Sequence, residues 1–201
     1  MTASNHLTPR QPSGTELVAL DSVELQDLPE GTYVLDPWHS TFASRSRTVA
    51  CPGFAVSSSG STRRLENGDL TGNARVESVR TPIPELRQHL LGPEFFDAAA
   101  SPTIGFRSTA IRIDEYDIAE LDGELTIKGI TRPMTARGSA AIGENFTGAD
   151  AVGFDLEASI DRREYGLSWQ AKLPNGHDAL GWEVTLDVHL ELVEATQSAV
   201  A

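Results

Sequence analysis

Between about residue 31 and residue 194, apolar and polar positions alternate with period two. The clearest stretch is near the end. Trp182, Val184, Leu186, Val188, Leu190 and Leu192 are apolar, and Glu183, Thr185, Asp187, His189 and Glu191 fall between them. This predicts a long strand with one dry face and one wet face. Val152, Phe154, Leu156, Ala158 and Ile160 repeat the pattern, as do Met134, Ala136, Gly138, Ala140 and Ile142. Leu121, Gly123, Leu125 and Ile127 form another such set, and Leu70, Gly72, Ala74 and Val76 another. In residues 103–114 the phase starts with Ile104 and Phe106 and shifts to Ile111 and Ile113, which predicts a bulge. Residues 40–48 and 54–64 are more polar and their pattern is weaker. One helix is predicted, Pro84–Leu91, with Leu86 and Leu90 four apart and Gly92-Pro93 as its stop. The total is about eight strands with short connections.

Alternation of this kind favours antiparallel pairing. A sheet with one apolar face must close or fold onto itself, as a barrel or a sandwich. A strand of about 12 residues is roughly 40 Å long and, tilted near 40°, stands roughly 30 Å tall. That length suits a tall barrel better than a sandwich of short strands. The predicted fold class is therefore all-β, an eight-stranded antiparallel barrel with one or two short helices.

Outside this region the pattern fades. Residues 1–14 are polar with two prolines, and residues 16–28 carry only a mixed apolar stripe of Leu17, Leu20, Val23 and Leu28. The expected organisation is an N-terminal arm over 1–30, a barrel over 31–194 and a tail over 195–201. The arm either covers one barrel end or pairs with a second subunit in a homodimer.

The chain has 201 residues, of which 39% are hydrophobic and 22% charged, enough for one domain with a real core. Its 16 basic and 29 acidic residues give a formal net charge of -13. Such a surface repels phosphate backbones and anionic headgroups, so nucleic acid is not an expected partner. No long apolar run suggests stable membrane insertion, and no basic-then-apolar start suggests secretion. The expected location is cytoplasmic. The single cysteine, Cys51, excludes an intramolecular disulfide and a cysteine-rich zinc module.

Catalytic signatures are missing: there is no G-x-S-x-G elbow, glycine-rich phosphate loop or H-E-x-x-H. The histidines are His6, His39, His89, His177 and His189, with no pair spaced for a metal. Each is read as a surface or end-of-strand residue, with His39 set apart because turn residues Asp36-Pro37 lead it into a strand. No catalytic residue, metal ligand or cofactor is expected. Asn145-Phe146-Thr147 matches a glycosylation sequon, which carries little meaning without secretion.

The dry face carries more information. Gly72, Ala74, Gly123, Ala136, Gly138, Ala140 and Ala158 are small where a self-filled barrel needs bulk. They predict an apolar cavity, the alternative being compositional bias or close packing of a helix, and with a cavity Ala136, Gly138 and Ala140 become candidate lining residues for a long apolar ligand. Arginines occur in pairs, at 45 and 47, 63 and 64, and 162 and 163. A pair could grip a polar headgroup, or simply be solvated surface charge.

Several segments fall in order and together carry a family resemblance. Tyr33-Val34-Leu35-Asp36-Pro37-Trp38-His39-Ser40 resembles Y-x-I/L-D-x-x-H-S, and Glu77-Ser78-Val79-Arg80-Thr81 resembles the S-I/V-x-T segment. Leu90 to Asp97 resembles H-L-x-S-x-D-F-F-D, and Pro102 to Ser108 resembles P-x-I-x-F-x-S. Gly123 to Pro133 resembles G-x-L-T-I/L-x-G-x-T-x-P, and Asp161 to Leu167 resembles N-R-x-D/E-F/W-G. These are motifs of the YceI-like family. The resemblance implies a lipocalin-like barrel that holds a polyisoprenoid chain in its lumen. It also implies lining positions at Phe42, Phe54, Phe95, Phe96, Ile104, Phe106, Phe154, Trp169 and Trp182. Ser44, Ser46, Ser57, Ser58 and Ser59 make the first two strands more polar than is usual in the family.

The expected function is thus a non-catalytic carrier of a long-chain isoprenoid or isoprenoid-quinone-like lipid. Two alternatives remain open: an enzyme acting on such a lipid, with His39 or a carboxylate at the barrel mouth, and a stress-related interaction module.

Overall fold

The structure, a computed structural model, describes residues 32–36, 40–46, 56–58, 62–66, 69–81, 83–145 and 147–195. Residues 1–30, Trp38, His39, Arg47, Cys51, Phe54, Ser59 and the tail from 196 on lie outside the described residues.

The strands are β1 (Thr32–Leu35), β2 (Thr41–Ser46), β3 (Val56–Ser58), β4 (Thr62–Glu66), β5 (Asp69–Arg75) and β6 (Val79–Arg80). After α1 (Pro84–Leu91) come β7 (Thr103–Ile113), β8 (Ile118–Ile127), β9 (Ile130–Glu144), β10 (Asp150–Asp161) and β11 (Glu183–Glu194). Short 3-10 turns cover Val76–Ser78 and Arg162–Tyr165.

Hydrogen bonding resolves these pieces into a closed wall. β1 and β2 both lie against β11, with Tyr33 opposite Glu194 and Thr41 opposite His189. They are two halves of one interrupted strand. β4 continues the wall beside β1 and β3 beside β2, and β5 and β6 follow in the same manner. Three interrupted strands and the five continuous ones, β7 to β11, give eight wall positions, each antiparallel to its neighbours. Because β11 returns to β1 and β2, the sheet closes into the predicted antiparallel barrel.

Period-two patterning explains the closure. On β10, Val152, Phe154, Leu156, Ala158 and Ile160 are all buried, and on β8 so are Ala119, Leu121, Leu125 and Ile127. The predicted bulge in β7 lies between Ser108 and Ala110, where the register with β8 slips. It leaves Ser108 buried, where the Leu70 amide donates to its hydroxyl at 2.8 Å. The tight β8–β9 turn places Lys128 and Gly129 at φ 54° and 73°, the left-handed pair that a two-residue hairpin of this twist requires.

The helix α1 occupies the predicted residues, with Pro84 opening it. Arg87 ties it to the preceding turn by donating to the carbonyls of Val79 at 3.0 Å and Glu77 at 2.7 Å. Leu86 and Leu90 face the core. Two sequence expectations change. Trp182 precedes β11 and is not part of its dry face, and Ile142, near the end of the long β9, is exposed.

Candidate functional site

Among the described residues, three apolar cavities border the inside of the barrel. The first, of ≈ 120 Å³, sits between α1, the β7 end and the segment after β10; Phe95, Phe96, Ile104 and Trp169 are among its walls. The second, of ≈ 60 Å³, is lined by Phe106, Leu121, Met134 and Ala136, among others. The third, of ≈ 40 Å³, is bounded by Ala74, Val76, Val79 and Phe96. Phe42 on β2 borders all three.

Local chain geometry delivers these walls. The turn after α1 folds back on itself, with the Phe96 amide donating to the Leu90 carbonyl at 3.0 Å and the Asp97 amide to Gly92 at 2.9 Å. This presents Phe95 and Phe96 to the core as an edge-to-face pair with centroids 5.0 Å apart. From the helix, His89 joins them, its ring 4.4 Å from that of Trp169 and 6.1 Å from that of Phe95. The sequence reading put His89 among surface or end-of-strand histidines. It lies instead on the inner side of α1, three residues from Leu86, and its Nε2 is buried.

The second polar group of the first cavity is Arg162. It is 2% exposed and stands at the start of the 3-10 turn. Its Nε donates to the Gly181 carbonyl at 2.9 Å, and its Nη1 to Trp169 at 2.9 Å and to Leu167. Its guanidinium also stacks on the Trp182 ring at 4.2 Å. Burial pulls its pKa below the ordinary arginine value. The neighbouring Arg163 behaves differently: it is exposed and grips Asp161, which drops to a pKa of about 2 through that side-chain bond. The arginine pair is therefore divided, one member to the interior and one to the surface.

The predicted lining residues separate into groups. Phe42, Phe95, Phe96, Ile104 and Trp169 border the first cavity, and Phe106 and Ala136 the second. Gly138, Ala140, Phe154 and Trp182 border none of the three. At Gly138 a Cβ would meet the Asp155 carbonyl at 1.9 Å, so the glycine serves close approach of β10, not open space. Ala140 faces Phe154 directly across β9 and β10, and the large ring occupies the room beside the small residue. Trp182 stacks under Arg162 and donates from Nε1 to Asp178 at 3.1 Å. Phe54 lies outside the described residues.

The sequence reading leaves His89 out of the site and offers Arg162 only within the 162–163 pair that could grip a head group or be solvated surface charge, not as a buried residue. Both had a signal: His89 shares a helix face with Leu86, and Arg162 continues the buried phase of Ala158 and Ile160. Among the described residues, no three His, Cys, Asp or Glu side chains come together to hold a metal ion.

The comparisons with known proteins come to the same architecture. The model of the YceI-like domain matches residues 33–192. A UPF0312 protein of Pseudomonas aeruginosa is 30% identical over 93 residues, which is 46% of this chain and 48% of that protein. Protein YceI of Salmonella arizonae is 30% identical over 94 residues, covering 46% and 49%. The chain thus spans about half the length of these curated relatives that it matches. Among solved structures, Burkholderia cenocepacia BcnA superposes with a TM-score of 0.60 at 21% identity, over 81% of this chain and 99% of that one. A polyisoprenoid binding domain from Saccharophagus degradans gives 0.61 at 12% identity, over 81% and 98%. At those identities the structural matches speak for the fold.

Proposed function

The chain belongs to the YceI-like domain family, and from that premise we propose that it is a carrier that holds a long isoprenoid or isoprenoid-quinone-like lipid in its barrel without transforming it. The observation that carries the reading is the set of three apolar cavities meeting at Phe42. The polyisoprenoid binding domain of similar fold supports the choice of ligand class.

Burial of an apolar chain supplies about 25 cal/mol per Å² before the entropic costs of binding. The cavities are small beside the roughly 300–1,000 Å³ of ordinary ligand sites, the largest being ≈ 120 Å³. Loading therefore widens the interior, and Phe42 is the side chain whose movement joins the three spaces. Among the described residues the walls of the first cavity hold no Asp or Glu, and His89 is the side chain on which any acid–base chemistry there would have to rest.

The test is native mass spectrometry and solvent extraction of the full chain purified from its own host. The expected result is a bound lipid recovered unchanged. Recovery of no lipid, together with failure of the delipidated protein to bind any prenyl chain, would overturn the carrier reading. Turnover of the bound lipid would favour the enzyme instead. We also propose a cytoplasmic location, which cell fractionation checks.

A further inference from the structure

Two buried side-chain nitrogens lack a hydrogen-bond partner among the described residues, His89 Nε2 and Arg162 Nη2. Both belong to walls of the first cavity. They reach it from elements far apart in sequence, α1 and the turn after β10. An unpaired buried donor is costly, and a charged one more so.

Arg162 is otherwise fully engaged. Its Nε and Nη1 are spent on the carbonyls of Gly181, Leu167 and Trp169, and its π face on Trp182. Among the described residues no carboxylate hydrogen-bonds to it: Asp161 is taken by Arg163, and Asp178 by Lys172 and the Trp182 indole. The protein fixes this guanidinium in place and leaves its Nη2 without a partner, in the wall of the same cavity as a histidine nitrogen that also has none.

We infer that this pair is the polar end of the binding site: Arg162 Nη2 and His89 Nε2 take an acceptor oxygen of the ligand's head group, a ring carbonyl or a carboxylate. The inference rests on the carrier reading and adds the head-group class and the direction in which the lipid lies. A head group of more than one negative charge, such as a diphosphate, fits poorly. It would face a single guanidinium, with Phe95, Trp169 and Leu167 as its other neighbours. From there the chain runs past Phe42 into the second cavity, whose walls hold no titratable side chain among the described residues.

Water is the competing occupant. A cavity of ≈ 120 Å³ has room for several molecules at roughly 30 Å³ each. The experiment separates the two. Delipidated full-chain protein is titrated with a hydrocarbon, a quinone, a carboxylic acid and a diphosphate that share one prenyl chain. Binding is read by calorimetry and by quenching of tryptophan fluorescence, since Trp169 lines the cavity.

The quinone and the acid should bind roughly tenfold or more tightly than the hydrocarbon, as a charge-assisted hydrogen bond implies. His89→Phe should narrow that preference while leaving hydrocarbon affinity unchanged. Arg162→Lys should abolish most of it. His89→Phe keeps an aromatic ring against Trp169, so it serves even where the arginine variant fails to fold. Equal affinity for all four ligands would overturn the head-group assignment and leave the carrier reading standing. Tightest binding of the diphosphate would overturn the class of head group. Absence of binding by every ligand would overturn the carrier reading itself.

Discussion

The ring of Phe106 fills the space that a side chain on Gly123 would need. A Cβ built on Gly123 would stand 2.4 Å from the Phe106 ring and 2.5 Å from the Arg107 carbonyl oxygen. Phe106 also faces Gly72 across β5 and β7. Glycines on the dry face thus accommodate an aromatic ring of the protein itself.

Gly123→Ala should therefore destabilise the free protein by roughly 1–3 kcal/mol, as overpacking does. At about 2–4 °C per kcal/mol for a chain of this size, the melting temperature should fall by several degrees. Phe106→Leu in the same background should recover only part of the loss, because the Arg107 carbonyl still blocks the new methyl. Full recovery would mean that the ring alone makes the contact tight.

Ala136 and Ala140 share the dry face of β9 but answer to different neighbours. Ala136 is 2% exposed and borders the second cavity; Ala140 faces Phe154. Ala136→Val should weaken binding of a long prenyl chain severalfold with little change in ligand-free melting, since the added methyls enter vacant space. Ala140→Phe should cost roughly 1–3 kcal/mol or more without ligand, because it is forced against Phe154. Thermal melts with and without ligand check both, and equal behaviour of the two variants would show that the second cavity is not part of the ligand path.

Much of the wall was legible because one side of each strand is dry and the other wet. That rule located β5 and β7 through β11, together with the β7 bulge, where Ser108 turns inward. The helix was legible from Leu86, Leu90 and the Gly92-Pro93 stop. The turn residues Asp36-Pro37 marked the break between β1 and β2, but the division into β3 and β4 was not legible, because the serine-rich polar sequence there carries no contrast between faces. The phase of Trp182 points to a strand, but its place is set by stacking with Arg162 and Arg163, a contact that alternation does not encode. Neither the phase of His89 nor the 162–163 arginine pair says that His89 and Arg162 line one cavity, because they come to it from distant elements through the fold.

The outer face predicts an acid response. Arg112 bridges Glu120 and Asp122, Arg137 also holds Glu120, and the Thr135 hydroxyl donates to Asp122. Glu120 and Asp122 lie below their usual carboxylate values, through hydrogen bonds from Arg112 to Glu120 and from Thr135 to Asp122. Asp178 is lowered by Lys172, and Asp161 falls to about 2 through Arg163. A carboxylate lowered in the folded state contributes stability above its unfolded pKa and loses it as pH falls through the folded one. These groups should thus leave the melting temperature flat above about pH 5 and pull it down from about pH 4 toward pH 2. Asp161→Asn should soften the lowest part of that fall. A melting curve unchanged between pH 6 and pH 2.5 would show that the surface pairs contribute nothing.

Phe42 is the side chain on which the three cavities meet, and it faces Val188 across β2 and β11. Its replacement by alanine should join them into one space. Removal of a fully buried phenylalanine costs about 3–5 kcal/mol. Phe42 is half-buried and borders voids on several sides, so the loss should fall at or below the low end of that range. The functional consequence should have the opposite sign. If the ring must move before a chain can pass from the first cavity to the second, its removal should raise the association rate of a prenyl ligand. Ligand present at 100 times its dissociation constant should then return about 2.7 kcal/mol of stability. Stopped-flow fluorescence gives the rate and thermal melts give the stability. A variant that melts lower, binds no faster and gains nothing from ligand would reduce Phe42 to an ordinary core residue and leave the cavities as separate packing voids.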